Sequence, residues 1–245
     1  MQTVLITGAN KSIGFETAKQ LAAQGYFVFL GSRDIKKGEA AADQLKAAGY
    51  SQVQAVQINV ADPASVAAAK DTVSKQISSL DILINNAGIM GGYQQMPSAI
   101  SPDVLHEVFN TNFFGAVHVT QAFMELLKKS GAPRIVNVTS GLASLTLHSD
   151  PAWKYYAIKS AAYGPSKTAL NAYTVALAYE LRDTAFKINA VDPGYTATDF
   201  NQHRGTGSVE NAARIIVKYA LTGADGPTGK YFSNDINGES DESPW

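Results

Sequence analysis

The sequence has no cysteine among its 245 residues. This absence excludes disulfide bonds, thiolate metal sites and cysteine nucleophiles. Histidine is scarce as well, and the four residues His106, His118, His148 and His203 show no spacing typical of metal ligands. We therefore expect no bound metal.

An excess of charge of one sign is also lacking, because 20 Lys and Arg residues stand against 21 Asp and Glu residues. Nucleic acids and anionic membranes attract strongly basic surfaces, so we expect neither as a partner. No apolar run approaches the length of a membrane span, and the first residues lack the basic and apolar segments of a secretory signal. We expect a soluble, cytoplasmic protein.

Short apolar runs alternate with helical patterns along the whole sequence. The apolar runs predict seven strands, at residues 3–7, 27–31, 53–57, 82–85, 135–139, 187–191 and 230–232. The helical patterns cover residues 13–24, 35–48, 63–77, 102–129, 163–182 and 208–221. This alternation predicts one α/β domain over residues 1–245, a doubly wound parallel sheet with helices on both faces. Ligands of such sheets bind at the carboxyl ends of the strands.

The loop after the first predicted strand, residues 7–14, reads Thr-Gly-Ala-Asn-Lys-Ser-Ile-Gly. Glycines allow the backbone to turn tightly and to approach a pyrophosphate, whose charge the N–H groups of a helix N-terminus stabilise. A glycine-bearing turn alone is more often only a turn. The position between the first strand and the first helix favours dinucleotide binding here.

Tyr163 and Lys167 stand four residues apart at the start of a predicted helix, so their side chains share one face. A lysine charge near a phenol favours the phenolate and lowers the tyrosine pKa from about 10. Such a tyrosine can exchange a proton near neutral pH. Tyr155 and Lys159 have the same spacing, but a helix from Tyr155 would contain Pro165 in its interior. In a helix from Tyr163, the proline lies in the tolerated first turn.

Together these motifs resemble the short-chain dehydrogenase/reductase family, whose signature is Thr-Gly-x-x-x-Gly-x-Gly with a later Tyr-x-x-x-Lys. The resemblance spans nearly the whole chain and implies a Rossmann fold with NADPH-dependent carbonyl reductase activity. One departure is Ser12, which stands at the position of the family's middle glycine. If the backbone needs a positive φ there, serine brings strain, although its hydroxyl can also bond a phosphate oxygen.

The resemblance implies four catalytic residues, Asn112, Ser140, Tyr163 and Lys167. In these roles Ser140 polarises the substrate carbonyl and Tyr163 protonates the developing alkoxide. Lys167 depresses the tyrosine pKa and binds the nicotinamide ribose, while Asn112 holds a water that relays protons. The implied cofactor contacts are Gly8, Asn10, Lys11, Ser12, Ile13, Gly14, Arg33, Asn59, Val60, Asn86, Ala87, Gly88, Tyr163, Lys167, Pro193, Gly194, Thr196 and Thr198.

The end of the second predicted strand decides between the two nicotinamide cofactors. An acid there accepts the ribose 2'-OH of NAD, whereas an arginine meets the 2'-phosphate of NADP. Gly31 and Ser32 occupy the place of the acid, Arg33 supplies a planar guanidinium, and Lys11 adds a second cation. These residues favour NADPH. The alternative is that Asp34 turns inward to hold a ribose hydroxyl.

Two segments near the expected site are candidate substrate loops, residues 141–162 and 195–208. The first contains 22 residues and is longer than is usual in compact members of the family. Its apolar side chains either form a substrate wall or pack only within their loop; they are Leu145, Leu147, Trp153, Tyr155 and Tyr156.

The second segment carries Phe200 and His203 between glycine-bearing ends and could close as a lid. Residues 89–96 could supply a third side of the substrate site. These segments carry few charges, which favours a neutral, partly apolar ketone or aldehyde.

Several functions remain open at this point. The favoured one is reduction of a small-molecule carbonyl to an alcohol, but the same site could oxidise a secondary alcohol or reduce a 3-oxoacyl thioester. A protein of another class, a non-catalytic NADPH sensor, would not need all four catalytic residues. The resemblance also implies a homo-oligomer, a dimer or tetramer paired through the long helices after strands four and five, which the insertion at 141–162 could block.

Overall fold

The computed structural model describes residues 1–236 and 240–245. Within these ranges the strands are β1 (Thr3–Ile6), β2 (Phe27–Ser32), β3 (Val53–Gln57), β4 (Ile82–Asn85), β5 (Arg134–Val138), β6 (Lys187–Asp192) and β7 (Tyr231–Ser233). The α-helices are α1 (Ser12–Ala23), α2 (Ile35–Ala47), α3 (Pro63–Ser74), α4 (Pro102–Phe109), α5 (Gly115–Leu127), α6 (Leu145–His148), α7 (Tyr163–Glu180) and α8 (Val209–Ala220).

The strands form one parallel sheet in the order β3-β2-β1-β4-β5-β6-β7. From β1 the chain proceeds outward to β3, then crosses back to place β4 on the other side of β1. This reversal opens a crevice at the carboxyl ends of β1 and β4, where dinucleotides bind in such folds. The predicted doubly wound Rossmann fold is confirmed.

The strands are apolar because helices cover both faces of the sheet. Val4 and Ile6 enter one core, which α1, α2 and α8 complete, whereas Leu5 enters the other, which α3, α5 and α7 complete. Burial of one such side chain contributes about 1.5–3 kcal/mol relative to exposure. In the described ranges, no helix combines the length and the apolar character needed to cross a bilayer.

The sequence predicts one helix over residues 102–129, but the structure divides it. A π-helical turn, Asn110–Phe114, lies between α4 and α5. Such a turn adds one residue to a helical repeat and commonly occurs at functional sites. The apolar spacing continues on both sides of the turn, so periodicity alone did not reveal it.

Candidate functional site

The loop between β1 and α1 has the tight geometry that its glycines predict. Gly8 has a φ of 63°. A Cβ atom on Gly14 would lie 2.6 Å from the Gly8 oxygen and from Asn86 Nδ2, so any larger residue would collide with the loop. Ser12 has a φ of 53°, in the left-handed region where a side chain is strained. The serine therefore occupies the conformation that the family's glycine would adopt more easily.

The first turn of α1 is open for an anion. Its preceding residue, Lys11, makes no capping hydrogen bond, whereas Asp34 caps α2 and Asp62 caps α3. N–H groups without a capping side chain, together with the positive end of the helix dipole, bind phosphate. This loop therefore fits the pyrophosphate of a dinucleotide.

Asn86 ties the loop after β4 to the loop after β1. Its Nδ2 donates to the backbone oxygens of Thr7 at 2.8 Å and Gly8 at 3.0 Å. The Thr7 hydroxyl oxygen in turn accepts from the N–H groups of Asn86 and Ala87, each at 3.0 Å. Thr7 was not among the predicted site residues, although its position at the end of β1 is the signal that could have identified it.

The end of β2 presents Arg33 on the surface. Asp34 accepts a hydrogen bond from the N–H of Lys37 at 3.3 Å and so serves as the cap of α2. This use competes with the alternative in which Asp34 holds a ribose hydroxyl. After β3, the Asn59 side-chain oxygen accepts from the N–H of Ala61 at 3.3 Å, and the adjacent Val60 is buried.

Helix α7 begins at Tyr163, as the position of Pro165 predicts. Tyr155 and Lys159 lie in an irregular segment rather than on a helix. Lys167 follows Tyr163 by four residues on α7, and its Nζ donates to the backbone oxygen of Val138 at 2.8 Å. The helix thus carries both side chains to the carboxyl end of β5.

Burial raises the pKa of Tyr163 to about 12, and the nearby Asp192 charge adds to this effect. A hydrogen bond with the Ser140 side chain acts in the opposite direction but is outweighed. The expectation of a lowered tyrosine pKa is therefore wrong, because desolvation of the phenolate dominates. The phenol keeps its proton at neutral pH.

Burial also lowers the pKa of Lys167 to about 8, while Asp192 partly offsets this decrease. The ammonium lies beside the segment after β4, since a Cβ atom on Gly88 would be 3.4 Å from Nζ. The same Cβ would be 3.3 Å from Asn112 Oδ1. Gly88 therefore packs close to both the Lys167 and the Asn112 side chains, and a larger residue there would crowd them.

Asn112 lies in the π-helical turn and is buried. Its Oδ1 accepts from the N–H of Ile89 at 2.8 Å, while its Nδ2 donates to the Ile89 oxygen at 2.9 Å and to Ser166 Oγ at 3.1 Å. Both amide hydrogens are thus bound by the protein. The side chain joins the loop after β4 to α7.

Ser140 follows β5, and its hydroxyl oxygen and backbone oxygen each accept a hydrogen bond. Its hydroxyl oxygen accepts from the N–H of Leu142 at 3.2 Å, and its backbone oxygen accepts from the Tyr231 hydroxyl at 2.8 Å. Ser140 lies close enough to Tyr163 for hydrogen bonding by its side chain to lower the pKa of the phenol.

Asp192 is a further buried group for which the sequence analysis proposed no role. Its carboxylate accepts from Ser233 Oγ at 2.6 Å and from the N–H of Gly194 at 3.0 Å. Burial raises its pKa to about 6. Its place at the end of a predicted strand, directly before Pro193 and Gly194, was the available signal.

The segment after β6 returns toward the candidate site. Gly194 has a φ of 79°, and its backbone oxygen accepts from the hydroxyl of the buried Thr196 at 3.1 Å. Thr198 is buried too. The ring of Phe200 lies 5.4 Å from that of Tyr163, so this segment contacts the candidate proton donor directly.

The aromatic side chains of the insertion pack on their own loop and on the neighbouring one. The Trp153 ring lies 5.0 Å from His148 and 5.4 Å from Tyr155, and Tyr155 lies 6.0 Å from Tyr195. Leu145 is 66% exposed. Packing within the loop therefore accounts for Trp153, whereas Tyr155 connects residues 141–162 with residues 195–208.

Comparison with known proteins agrees with this fold. A model of the family described as short chain dehydrogenase matches residues 2–208. The chain is 31% identical to (+)-neomenthol dehydrogenase of Capsicum annuum, over 93% of this chain and 94% of that protein.

Two solved structures are similar over almost their whole lengths. The salutaridine reductase of Papaver somniferum has a TM-score of 0.83 at 30% identity, covering 96% of this chain and 100% of that one. An NADPH-bound carbonyl reductase from chicken fatty liver has a TM-score of 0.85 at 26% identity, covering 100% and 99%. With the family model and these relatives in agreement, the chain belongs to the short-chain dehydrogenase family and is an oxidoreductase.

Proposed function

We propose that the protein reduces the carbonyl of a ketone or aldehyde to an alcohol with NADPH, and that Tyr163 is the proton donor. The main support is the closeness of the Ser140 side chain to the Tyr163 phenol, whose pKa it lowers, with Lys167 on the same helix. These groups lie at the carboxyl end of β5, on the sheet edge that also carries the open turn of α1.

The side chains suit the two demands of this reaction. The Ser140 hydroxyl donates a hydrogen bond to the substrate oxygen, and Tyr163 gives its proton to that oxygen as negative charge develops. When bound, the reduced nicotinamide supplies a hydride to the carbonyl carbon. A phenol with a pKa of about 12 holds its proton until then. General acid catalysis of this kind contributes about 10² to 10⁴ in rate.

Arg33 and Lys11 support NADPH rather than NADH. The Arg33 guanidinium is exposed at the end of β2, where it can bind a 2'-phosphate, and Asp34 is occupied as the cap of α2. The NADPH-bound carbonyl reductase has the same fold. The first turn of α1, which no side chain caps, supports the pyrophosphate site.

Residues 141–162 and 195–208 are the proposed substrate loops of a single catalytic domain. The contact of Phe200 with Tyr163 supports this assignment for the second loop. The Phe200 ring beside the phenol fits a neutral, partly apolar carbonyl compound. We place the protein in the cytoplasm and expect a homo-oligomer.

Tyr163→Phe tests the proposal, because it removes only the phenolic oxygen. We expect turnover of NADPH with a panel of ketones and aldehydes to fall by about 10²-fold or more, while the Kd for NADPH stays within about twofold. NADPH oxidation is followed by absorbance and binding by fluorescence.

Tyr155→Phe is the matched control, since it has the same spacing to a lysine but lies off the helix. Full activity of Tyr163→Phe with loss in Tyr155→Phe would contradict the assignment. Tight NADPH binding by the wild-type protein without turnover of any carbonyl would instead indicate a non-catalytic NADPH sensor.

A further inference from the structure

Gln95 is a buried amide in a loop whose neighbouring residues are exposed. It lies between β4 and α4, outside any helix or strand, and only 4% of its surface is accessible. The adjacent Gln94 and Met96 are both exposed. A glutamine is rarely buried without full use of its hydrogen-bonding groups.

The Gln95 side chain joins the loop after β4 to the start of α7. Its Nε2 donates to the backbone oxygens of Met90 at 2.5 Å and Gly92 at 2.8 Å. Its Oε1 accepts from the N–H groups of Ala162 at 3.1 Å and Tyr163 at 3.0 Å. The amide therefore contacts two backbone oxygens on one side and two N–H groups on the other.

These contacts replace a missing helix cap. The first N–H groups of a helix lack partners within the helix, and Ala162 has no side-chain oxygen to bind them. Ser160 Oγ accepts from the N–H of Gly164 at 2.8 Å, and Pro165 has no N–H group. The remaining N–H of Tyr163 itself is bound by Gln95, 68 residues earlier in the chain.

We propose that Gln95 is a positioning residue that holds the backbone of Tyr163 in place and couples it to residues 89–96, which would form one side of the substrate site. The proposal rests on the function proposed above, in which Tyr163 donates the proton. Misplacement of a reacting group by about 1 Å can reduce the rate by about 10²-fold.

Only an amide satisfies both sides of this contact. A leucine at position 95 would fill a similar space but could neither accept from Tyr163 nor donate to Met90. A carboxylate could still accept from Tyr163, and the positive end of the α7 dipole favours it there, but it could not donate to the loop. Leucine therefore removes both contacts, whereas glutamate keeps the contact with Tyr163 and removes only the hydrogen bonds to the loop.

Gln95→Leu is expected to lower kcat by about 10- to 100-fold, because both contacts are lost. The Kd for NADPH is expected to remain within about twofold, since the four side-chain hydrogen bonds of Gln95 go to residues 90, 92, 162 and 163 rather than to the loop after β1. Gln44→Leu, at an exposed position on α2 outside the proposed substrate loops, is the matched control, and we expect kcat and KM equal to those of the wild-type protein.

Gln95→Glu provides the second measurement, whether or not the leucine variant folds. At pH 8 we expect kcat within about threefold of wild type and an increase of about tenfold in KM for the carbonyl substrate. On acidification the protonated carboxyl regains a donor, so KM should approach the wild-type value while that of the control does not change.

The proposal is overturned if folded Gln95→Leu keeps the wild-type kcat, or if Gln95→Glu shows no pH-dependent change in KM relative to Gln44→Leu. Either failure would leave the dependence of turnover on Tyr163 intact. A failure of the proposed function would instead appear as undiminished turnover in Tyr163→Phe.

Discussion

The carboxyl group of Asp192 is buried beside the two groups that the proposed reaction uses. Its charge raises the pKa of both Tyr163 and Lys167. Its own pKa is raised to about 6 by burial, so the group is ionised above neutral pH. Hydrogen bonds from Ser233 and Gly194 keep the carboxylate in place.

Asp192→Asn should therefore lower the pKa of Lys167 from its value of about 8 in the free protein. The ammonium would then lose its proton at lower pH, and the descending limb of kcat/KM for NADPH should move in the same direction. The pH profile of this parameter reports groups of the free protein.

Asp183→Asn, at an exposed carboxylate, serves as the control and should leave the profile unchanged. A limb that stays in place or moves to higher pH in Asp192→Asn would contradict the assigned electrostatic effect.

Two loops at the carboxyl edge of the sheet are joined by an ion pair. Lys11 Nζ, at the start of α1, lies 2.9 Å from Asp199 Oδ2 in the segment after β6. His203 also contacts Asp199, at 3.0 Å. The hydrogen bond and charge of Lys11 lower the pKa of Asp199. Lys11, the proposed second cation for the 2'-phosphate, is thus paired with Asp199.

Asp199→Asn should release Lys11 and tighten NADPH binding. Exposed ion pairs are weak because solvent screens them, so the Kd should fall by at most about fivefold. The Kd for NADH, which lacks the 2'-phosphate, should not change. Fluorescence titration with both cofactors measures the difference.

Addition of Lys11→Ala to this variant should remove the gain in NADPH affinity. If the gain persists in the double variant, or if NADH binding improves equally, Lys11 does not bind the 2'-phosphate.

An exposed apolar surface lies near α5 and α7, the long helices that follow β4 and β5. On α7, Val175 is 44% exposed and Tyr179 is 68% exposed, and their spacing of four residues places them on one face. Phe114, at the end of the π-helical turn, is 45% exposed. The centroids of the Phe113 and Tyr173 rings are 6.5 Å apart, so this turn and α7 are adjacent.

Light scattering should therefore show an oligomer of the wild-type protein, paired through this surface. Val175→Asp combined with Tyr179→Ser should shift the mass to that of a monomer, because it places charge in the contact. Leu145→Ser, at an exposed apolar residue of the insertion, is the control. A monomeric wild-type protein would show that this surface does not pair.

Local patterns were enough to predict the strands, the sheet type and the helix start at Tyr163, because each depends on residues close together in sequence. Apolar runs predict buried strands, and Pro165 is compatible with only one of the two Tyr-x-x-x-Lys motifs. The π-helical turn was missed because one added residue hardly alters an apolar repeat.

The amino-acid sequence alone was sufficient to predict the fold class and the candidate residues along the sheet edge. Secondary-structure preference and loop position are local properties of the sequence. Folding determined the contacts between distant segments, such as Gln95 with Tyr163 and Lys11 with Asp199. It also determined the pKa of Tyr163, which sequence spacing predicts to be low. In the folded protein, removal of water from the phenolate costs more free energy than the neighbouring groups return, and the pKa rises instead.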